Sequence, residues 1–159
     1  MRTKIRPMIA RDKPAIMQML RNLPEFNPAE VIVAEEVLND YLHKATRSGY
    51  HVFVAETDSL IVGYICYGPT PLTEGTWDIY WLAVAPNQQR KGIGKSLLTF
   101  AEINIKKTGG KMVIIETSSR PEYETTGRFY ETQGYEISCR IADFYAPEDD
   151  KLILIKRLH

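Results

Sequence analysis

Hydrophobic residues recur along this chain at two spacings, and the switches between them divide it into strands and helices. Residues 4–9 read as a short first strand. Over 11–23, Ile16, Leu20 and Leu23 share one face at helical spacing, with Asp12 placed to cap free N–H groups and Pro14 in the first turn. Pro24 and Pro28 are expected to interrupt that helix. A second helix is predicted over 34–48, carrying Val37, Leu38, Tyr41 and Leu42 and ended by Gly49. The period then drops to two. Residues 50–57 and 60–68 are rich in β-branched and aromatic residues and flank Asp58-Ser59, which predicts a hairpin. A loop over 69–75 leads to a longer strand, 76–86, closed by Pro86. From about 92 to 107 the helical spacing returns through Ile93, Leu97, Leu98, Ala101 and Ile105, with Glu102 and Lys106 four apart on the expected outer face. Gly109 and Gly110 stop that helix. The run 111–119 is almost continuously apolar, as for a strand covered on both faces. A shorter helix over 123–134, ended by Gly134, precedes two last strands at 135–145 and 151–158.

A strand–helix–strand crossover in the middle makes its two strands parallel, while the hairpins supply antiparallel neighbours. The fold class is therefore α/β, a mixed sheet with helices on its faces. With 159 residues and no repeat, low-complexity stretch or linker, the chain reads as one domain, 1–159. Twenty basic residues balance twenty acidic ones, so composition gives no support to nucleic-acid binding. His43, His51 and His159 have no metal-ligand spacing with each other or with the two cysteines, so no metal is expected. Cys66 and Cys139 each lie in an apolar run and are expected to be buried, reduced thiols. No apolar run reaches the ~18 residues of a membrane span, and no secretion signal is evident, so a cytoplasmic location is expected.

The one conspicuous departure from an ordinary strand–helix join is Gln88-Gln89-Arg90-Lys91-Gly92-Ile93-Gly94-Lys95-Ser96. Bare backbone and positive charge meet where a helix begins, and the free N–H groups and dipole of a helix start attract anions. A P-loop would need glycine where Gln89 stands, and a dinucleotide fingerprint would need a third glycine where Leu97 stands. The remaining pattern, Gln/Arg-x-x-Gly-x-Gly/Ala, is filled by Gln89, Arg90, Lys91, Gly92, Ile93 and Gly94. Here the chain resembles the GNAT superfamily of acyl-CoA-dependent N-acyltransferases. The stretch WLAVAPNQQRKGIGKSLL is similar to that family's central strand, loop and helix, RFYETQGYE to its later helix–turn–strand signature, and IRPMIARDKPAIMQML to its opening strand and helix.

The resemblance implies a twisted, mostly antiparallel central sheet with one splayed parallel strand pair. It implies acetyl-CoA as acyl donor and no metal, with the diphosphate seated on residues 89–95, Lys95 included. Leu82, Ala83 and Val84 would pair through their backbone with the pantetheine arm. An N–H from Leu82 or Ala83 would face the thioester oxygen, an interaction worth ~3 kcal/mol in the barrier. Tyr130 matches the tyrosine placed to protonate the departing thiolate. For the proton acceptor the sequence leaves Asp78 and Glu116 open, directly or through water. Asp78 is expected to share a strand face with Tyr80, Leu82 and Val84. Tyr123 stands where relatives often carry an Asn that holds the pantetheine arm, and Thr126 where they carry Ala.

The acceptor is expected to be an amine, small molecule or peptide, bound by segments holding Glu25, Glu30, Glu74, Glu148, Asp149 and Asp150 with Phe26, Trp77, Phe144 and Tyr145. No cysteine is expected in the cleft, which favours direct attack in a ternary complex. No nucleic-acid or membrane partner is expected, and a homodimer is left open. The alternatives are an acyl-CoA-binding module without turnover and, more remotely, a nucleotide-binding switch.

Overall fold

The structure, a computed structural model, describes residues 2–159. Its strands are β1 (Thr3–Pro7), β2 (His51–Thr57), β3 (Leu60–Pro69), β4 (Thr76–Val84), β5 (Met112–Ser118), β6 (Glu136–Ala146) and β7 (Asp149–Arg157). Its α-helices are α1 (Lys13–Arg21), α2 (Pro28–Lys44), α3 (Ile93–Lys107) and α4 (Glu124–Thr132). The strands form one seven-stranded sheet in the order β1-β2-β3-β4-β5-β7-β6. Only β4 and β5 run parallel, joined by the α3 crossover; every other neighbouring pair is antiparallel.

Two apolar cores flank the sheet. One packs Ile16 and Leu20 of α1 and Ala34 and Leu38 of α2 on Val52, Val54, Tyr64 and Ala83. The other packs Leu97, Leu98, Ala101 and Ile105 of α3 on Ile65, Ile79, Val113, Ile115 and Leu154, with Tyr130 and Tyr135. Most residues read from helical spacing are thus buried, while Tyr41 and Leu42 of α2 are only partly covered, because a helix resting on a sheet can cover only one stripe of its surface.

Four local expectations are corrected. Helix α2 begins at Pro28, six residues earlier than its apolar pattern suggests. Asn27 accepts from the Glu30 N–H at 2.8 Å while Glu30 reaches back to the Asn27 N–H, and Pro28 takes the first position, where no N–H is needed. Cys139 is exposed: β6 pairs only with β7, and all eleven of its residues lie open to solvent. Cys66 is buried, which pushes its thiol well up. Glu102 does not pair with Lys106; it accepts from Tyr135 Oη at 2.7 Å and pairs with Lys156 Nζ at 2.9 Å, tying α3 to the turn between α4 and β6 and to β7.

The fourth correction concerns β4. The ladder with β3 runs Tyr67↔Ile79 and then Cys66↔Trp81, leaving Tyr80 as an extra residue. Such a bulge reverses side-chain alternation beyond it. Trp77 and Ile79 pack into the α3 core, as do Leu82 and Val84 past the bulge, whereas Trp81 and Ala83 turn to the α1–α2 core. Asp78 therefore lies on the opposite face from Leu82 and Val84.

At the other end of the molecule, Arg6 donates to Asp12 at 2.7 and 2.9 Å and to Glu56 at 3.1 Å. Burial pulls the Asp12 carboxyl up, but the bonds from Arg6 and the Ile9 N–H outweigh it and hold the group below its usual range. A depressed folded-state value means stability present above the unfolded value and lost as pH falls through the folded one. Asp12→Asn should cost about 2 kcal/mol at neutral pH and flatten the acid limb of a urea-unfolding series. An acid limb as steep as the parent's would assign that sensitivity to another group.

Candidate active site

Parallel pairing between β4 and β5 covers only Thr76↔Met112 to Ile79↔Ile115 and ends at the bulge. A bulge bends and twists its strand. Beyond it β4 leaves β5, and two cavities occupy the gap and its flanks. The first, about 480 Å³, is walled by Ile79–Leu82 of β4, Ile115–Ser118 of β5, Phe26, Asn27 and Glu30, and Tyr145 and Asp149. The second, about 520 Å³, lies between Leu82–Val84, the loop into α3, and the loop between α1 and α2. Leu82, Thr126 and Tyr130 belong to both walls, so the cavities meet there.

The second cavity collects most of the candidates for donor binding. Leu82, Ala83, Val84, Gln89, Arg90, Gly92, Ile93, Gly94 and Lys95 all line it. Arg90 and Gly92 take φ of 63° and 82°, left-handed turns that help aim successive N–H groups to one side. Within α3 the Ser96 N–H is the first to find an acceptor, Gly92 O at 3.0 Å. The amides ahead of it, at Ile93, Gly94 and Lys95, are the unpaired donors of a helix start, with Arg90 and Lys95 adding charge. That donor set fits a diphosphate. Gln89 spends its side-chain amide on Val84 O at 3.2 Å, and Lys91 turns to Gln88 Oε1 at 3.2 Å outside the wall.

Tyr130 is buried between Phe129 and Tyr135, with ring centroids 5.3 and 5.7 Å away, both edge-on. Burial alone pushes its hydroxyl well above the usual tyrosine range, so it is a protonated donor at neutral pH. Neighbouring Tyr80 is pushed up to about 12 by burial, with the charges of Asp78 and Glu116 among the added causes.

The two carboxylates named from sequence have other engagements. Asp78 accepts from Thr70 Oγ1 at 2.5 Å and lines neither cavity. Glu116 lines the first cavity, half exposed, and pairs with Lys151 Nζ at 2.8 Å. Tyr123 lines the first cavity, not the second. Its hydroxyl donates to Glu30 Oε2 at 2.7 Å, and Arg120 stacks over its ring at 5.1 Å. Arg120 also reaches Glu30 Oε1 at 3.3 Å and Asp149 Oδ2 at 3.4 Å, while Ser118 donates to Asp149. This network ties α2, the β5–α4 loop and β7 around the first cavity. Sequence reasoning missed it, because its members are distant along the chain and carry no shared motif. Among the described residues no group of three or more His, Cys, Asp or Glu could hold a metal ion. Among the described residues no helix is long and apolar enough to cross a membrane.

Comparison with known proteins bears on this geometry. A search of curated proteins by sequence finds no match. The family model for the acetyltransferase (GNAT) domain matches residues 48–137. A solved GNAT-family structure from Desulfovibrio desulfuricans is 36% identical, with TM-score 0.94 over 98% of this chain and 99% of that one. At 19% identity, a PaiA N-acetyltransferase from Thermoplasma acidophilum, solved in complex with coenzyme A, shares the fold with TM-score 0.78 over 99% and 100%. The ribosomal-protein-S18-alanine N-acetyltransferase of Escherichia coli does so at 17% identity, with TM-score 0.77 over 98% and 94%. A family match across more than half the chain, with the parted parallel strands and the open helix start, leads to one conclusion: the chain belongs to the GNAT family of acetyltransferases.

Proposed function

We propose that this protein transfers an acetyl group from acetyl-CoA to the primary amine of an acceptor, by direct attack within a ternary complex. The observation that carries the reading is the meeting of two cavities at Leu82, Thr126 and Tyr130, beside unpaired β4 backbone. The second cavity would take the donor, with its diphosphate on the amides of residues 93–95 and its arm along Leu82–Val84. The first would take the acceptor. Acetyl-CoA supplies an activated acyl carbon and a leaving thiolate.

The chain's own groups supply the rest. The Leu82 or Ala83 N–H, freed by the splay, is placed to hold the carbonyl oxygen as it gains charge. Tyr130, protonated and packed on both sides, donates to the sulfur as it leaves. Neither Cys66, in the α1–α2 core, nor Cys139, on the edge strand, lines a cavity, so nucleophilic relay through cysteine has no candidate at the junction.

The test is free-thiol release from acetyl-CoA across a panel of amines, run beside calorimetric titration of coenzyme A. Amine-dependent thiol release supports transfer. Binding with no turnover for any amine would favour a non-catalytic acyl-CoA-binding module, and no binding would remove both readings. Tyr130→Phe should lower kcat about a hundredfold with little change in affinity for the donor. An unchanged kcat would remove the tyrosine from the chemistry.

A further inference from the structure

From the charges and rings of the first cavity, we infer that the acceptor is a short diamine: one nitrogen reacts at the junction, and the other, still charged, sits beside Tyr145 among Glu30, Glu116 and Asp149. The inference rests on the acetyl-transfer reading above and narrows its acceptor to one class. The charged groups in that wall are Glu30, Glu116 and Asp149 against Arg120. Lys151, outside the wall, pairs with Glu116 and still leaves one carboxylate in excess. The reacting nitrogen cannot meet that excess, because it must shed its charge before it attacks. A second nitrogen keeps its charge throughout.

The three carboxylates surround one ring. Burial pushes the Tyr145 phenol up; Lys151 pulls it down, while Glu116, Asp149 and Glu30 all push it further up, so each lies within electrostatic reach. Phe26, Tyr80 and Trp81 stand in the same wall, and a cation is drawn to aromatic faces as well as to carboxylates. Glu30 and Asp149 are already engaged by Tyr123, Arg120 and Ser118. Glu116 has the most capacity left: its side chain is 48% exposed, and among the described residues only its Oε2 has a partner, Lys151.

The cavity also lacks a polar group elsewhere. Thr117 lines the wall at 7% exposure, and its Oγ1 has no hydrogen-bond partner. By alternation along β5 it shares the side of Ile115, which packs in one core with Tyr130 of the junction. A buried hydroxyl left unpaired is costly, and an N–H of the reacting amine would satisfy it. Polar demand at two places in an aromatic wall, within about 480 Å³, fits a few methylenes with a nitrogen at each end. Transfer uses only the reacting nitrogen. It forms the C–N bond as the C–S bond breaks, losing one proton to solvent and one to the thiol by way of Tyr130, and the distal ammonium is unchanged.

The test compares butane-1,4-diamine with pentylamine, which has the same number of heavy atoms, and with 4-aminobutanoate, which ends in an anion. The diamine's kcat/KM should exceed each of the others about tenfold. Glu116→Gln and Tyr145→Leu should each shrink the diamine-to-pentylamine ratio at least about threefold. Loss of a general base would instead slow both amines alike and leave the ratio unmoved. A preference for pentylamine or 4-aminobutanoate, or a ratio that neither substitution changes, would overturn the inference and leave the transferase reading standing. Should no amine release thiol, the transferase reading fails, and calorimetric titration of butane-1,4-diamine into protein saturated with coenzyme A decides the seat separately. Binding that weakens in Glu116→Gln supports it; no binding, or binding that both substitutions leave unchanged, rejects it.

Discussion

Gly94→Asp should lower affinity for coenzyme A about a thousandfold while leaving the fold intact. A Cβ at Gly94 would meet Phe129 Cζ at 3.5 Å and Val84 Cγ2 at 3.7 Å, which are ordinary contacts, so the backbone has room for a side chain. Gly94 also sits in the first turn of α3, where a carboxylate favours the helix dipole. The same carboxylate would stand against the diphosphate. Two like charges about 4 Å apart at a surface site repel by about 4 kcal/mol, which is the thousandfold. Calorimetry reads the loss, and a thermal melt no lower than the parent's separates it from unfolding. Affinity retained within about tenfold would move the diphosphate elsewhere. Gly92→Asp is a less clean probe, because φ at Gly92 is 82° and any side chain there is strained.

Gly68→Ala should destabilise the fold by about 3 kcal/mol or more, far out of proportion to one methyl group. Gly68 lies in β3 opposite Asp78, where the strand passes beneath the turn that ends the α2 region. A Cβ there would fall inside the carbonyl oxygen of Gly49, 3.3 Å from its carbon and 3.4 Å from Tyr80 Cε2. The obstacle is backbone, and it is held: Gly49 is left-handed at φ 88° and its N–H donates to Thr46 O at 3.1 Å. The melting temperature should fall roughly 10 °C for a chain of this size. A melt within ~2 °C of the parent would show that the turn yields easily.

The legible parts of this molecule are those in which one stretch of sequence carries its own physics. Residues 88–107 announced a strand end, an open helix start and a buried stripe, because glycine spacing, charge and apolar period all sit within that run. The element order followed from changes of period. Four features were illegible for distinct reasons. The bulge at Tyr80 adds one residue without changing composition, so alternation read straight through it and put Asp78 on the wrong face. The early start of α2 was hidden because Pro28 was read as a breaker; Asn27 with Glu30 three residues on was the available signal. The engagements of Glu102, Tyr123 and Glu116 depend on Lys156, Glu30 and Lys151, residues distant in sequence that only the folded arrangement of sheet and helices brings near. Cys139 looked like a core residue because an edge strand and a central strand share the same alphabet.

The bulge has a consequence for how the protein keeps to itself. A sheet ordinarily ends in two borders, each inviting another sheet to dock. This one has a third, where β4 turns away from β5 after Ile79. That inner border is recessed between two strands and the helices over them. A broad sheet cannot enter such a slot; a single slender chain can. Narrowness therefore lets the protein keep bare hydrogen-bonding backbone in its middle without offering it to neighbouring molecules.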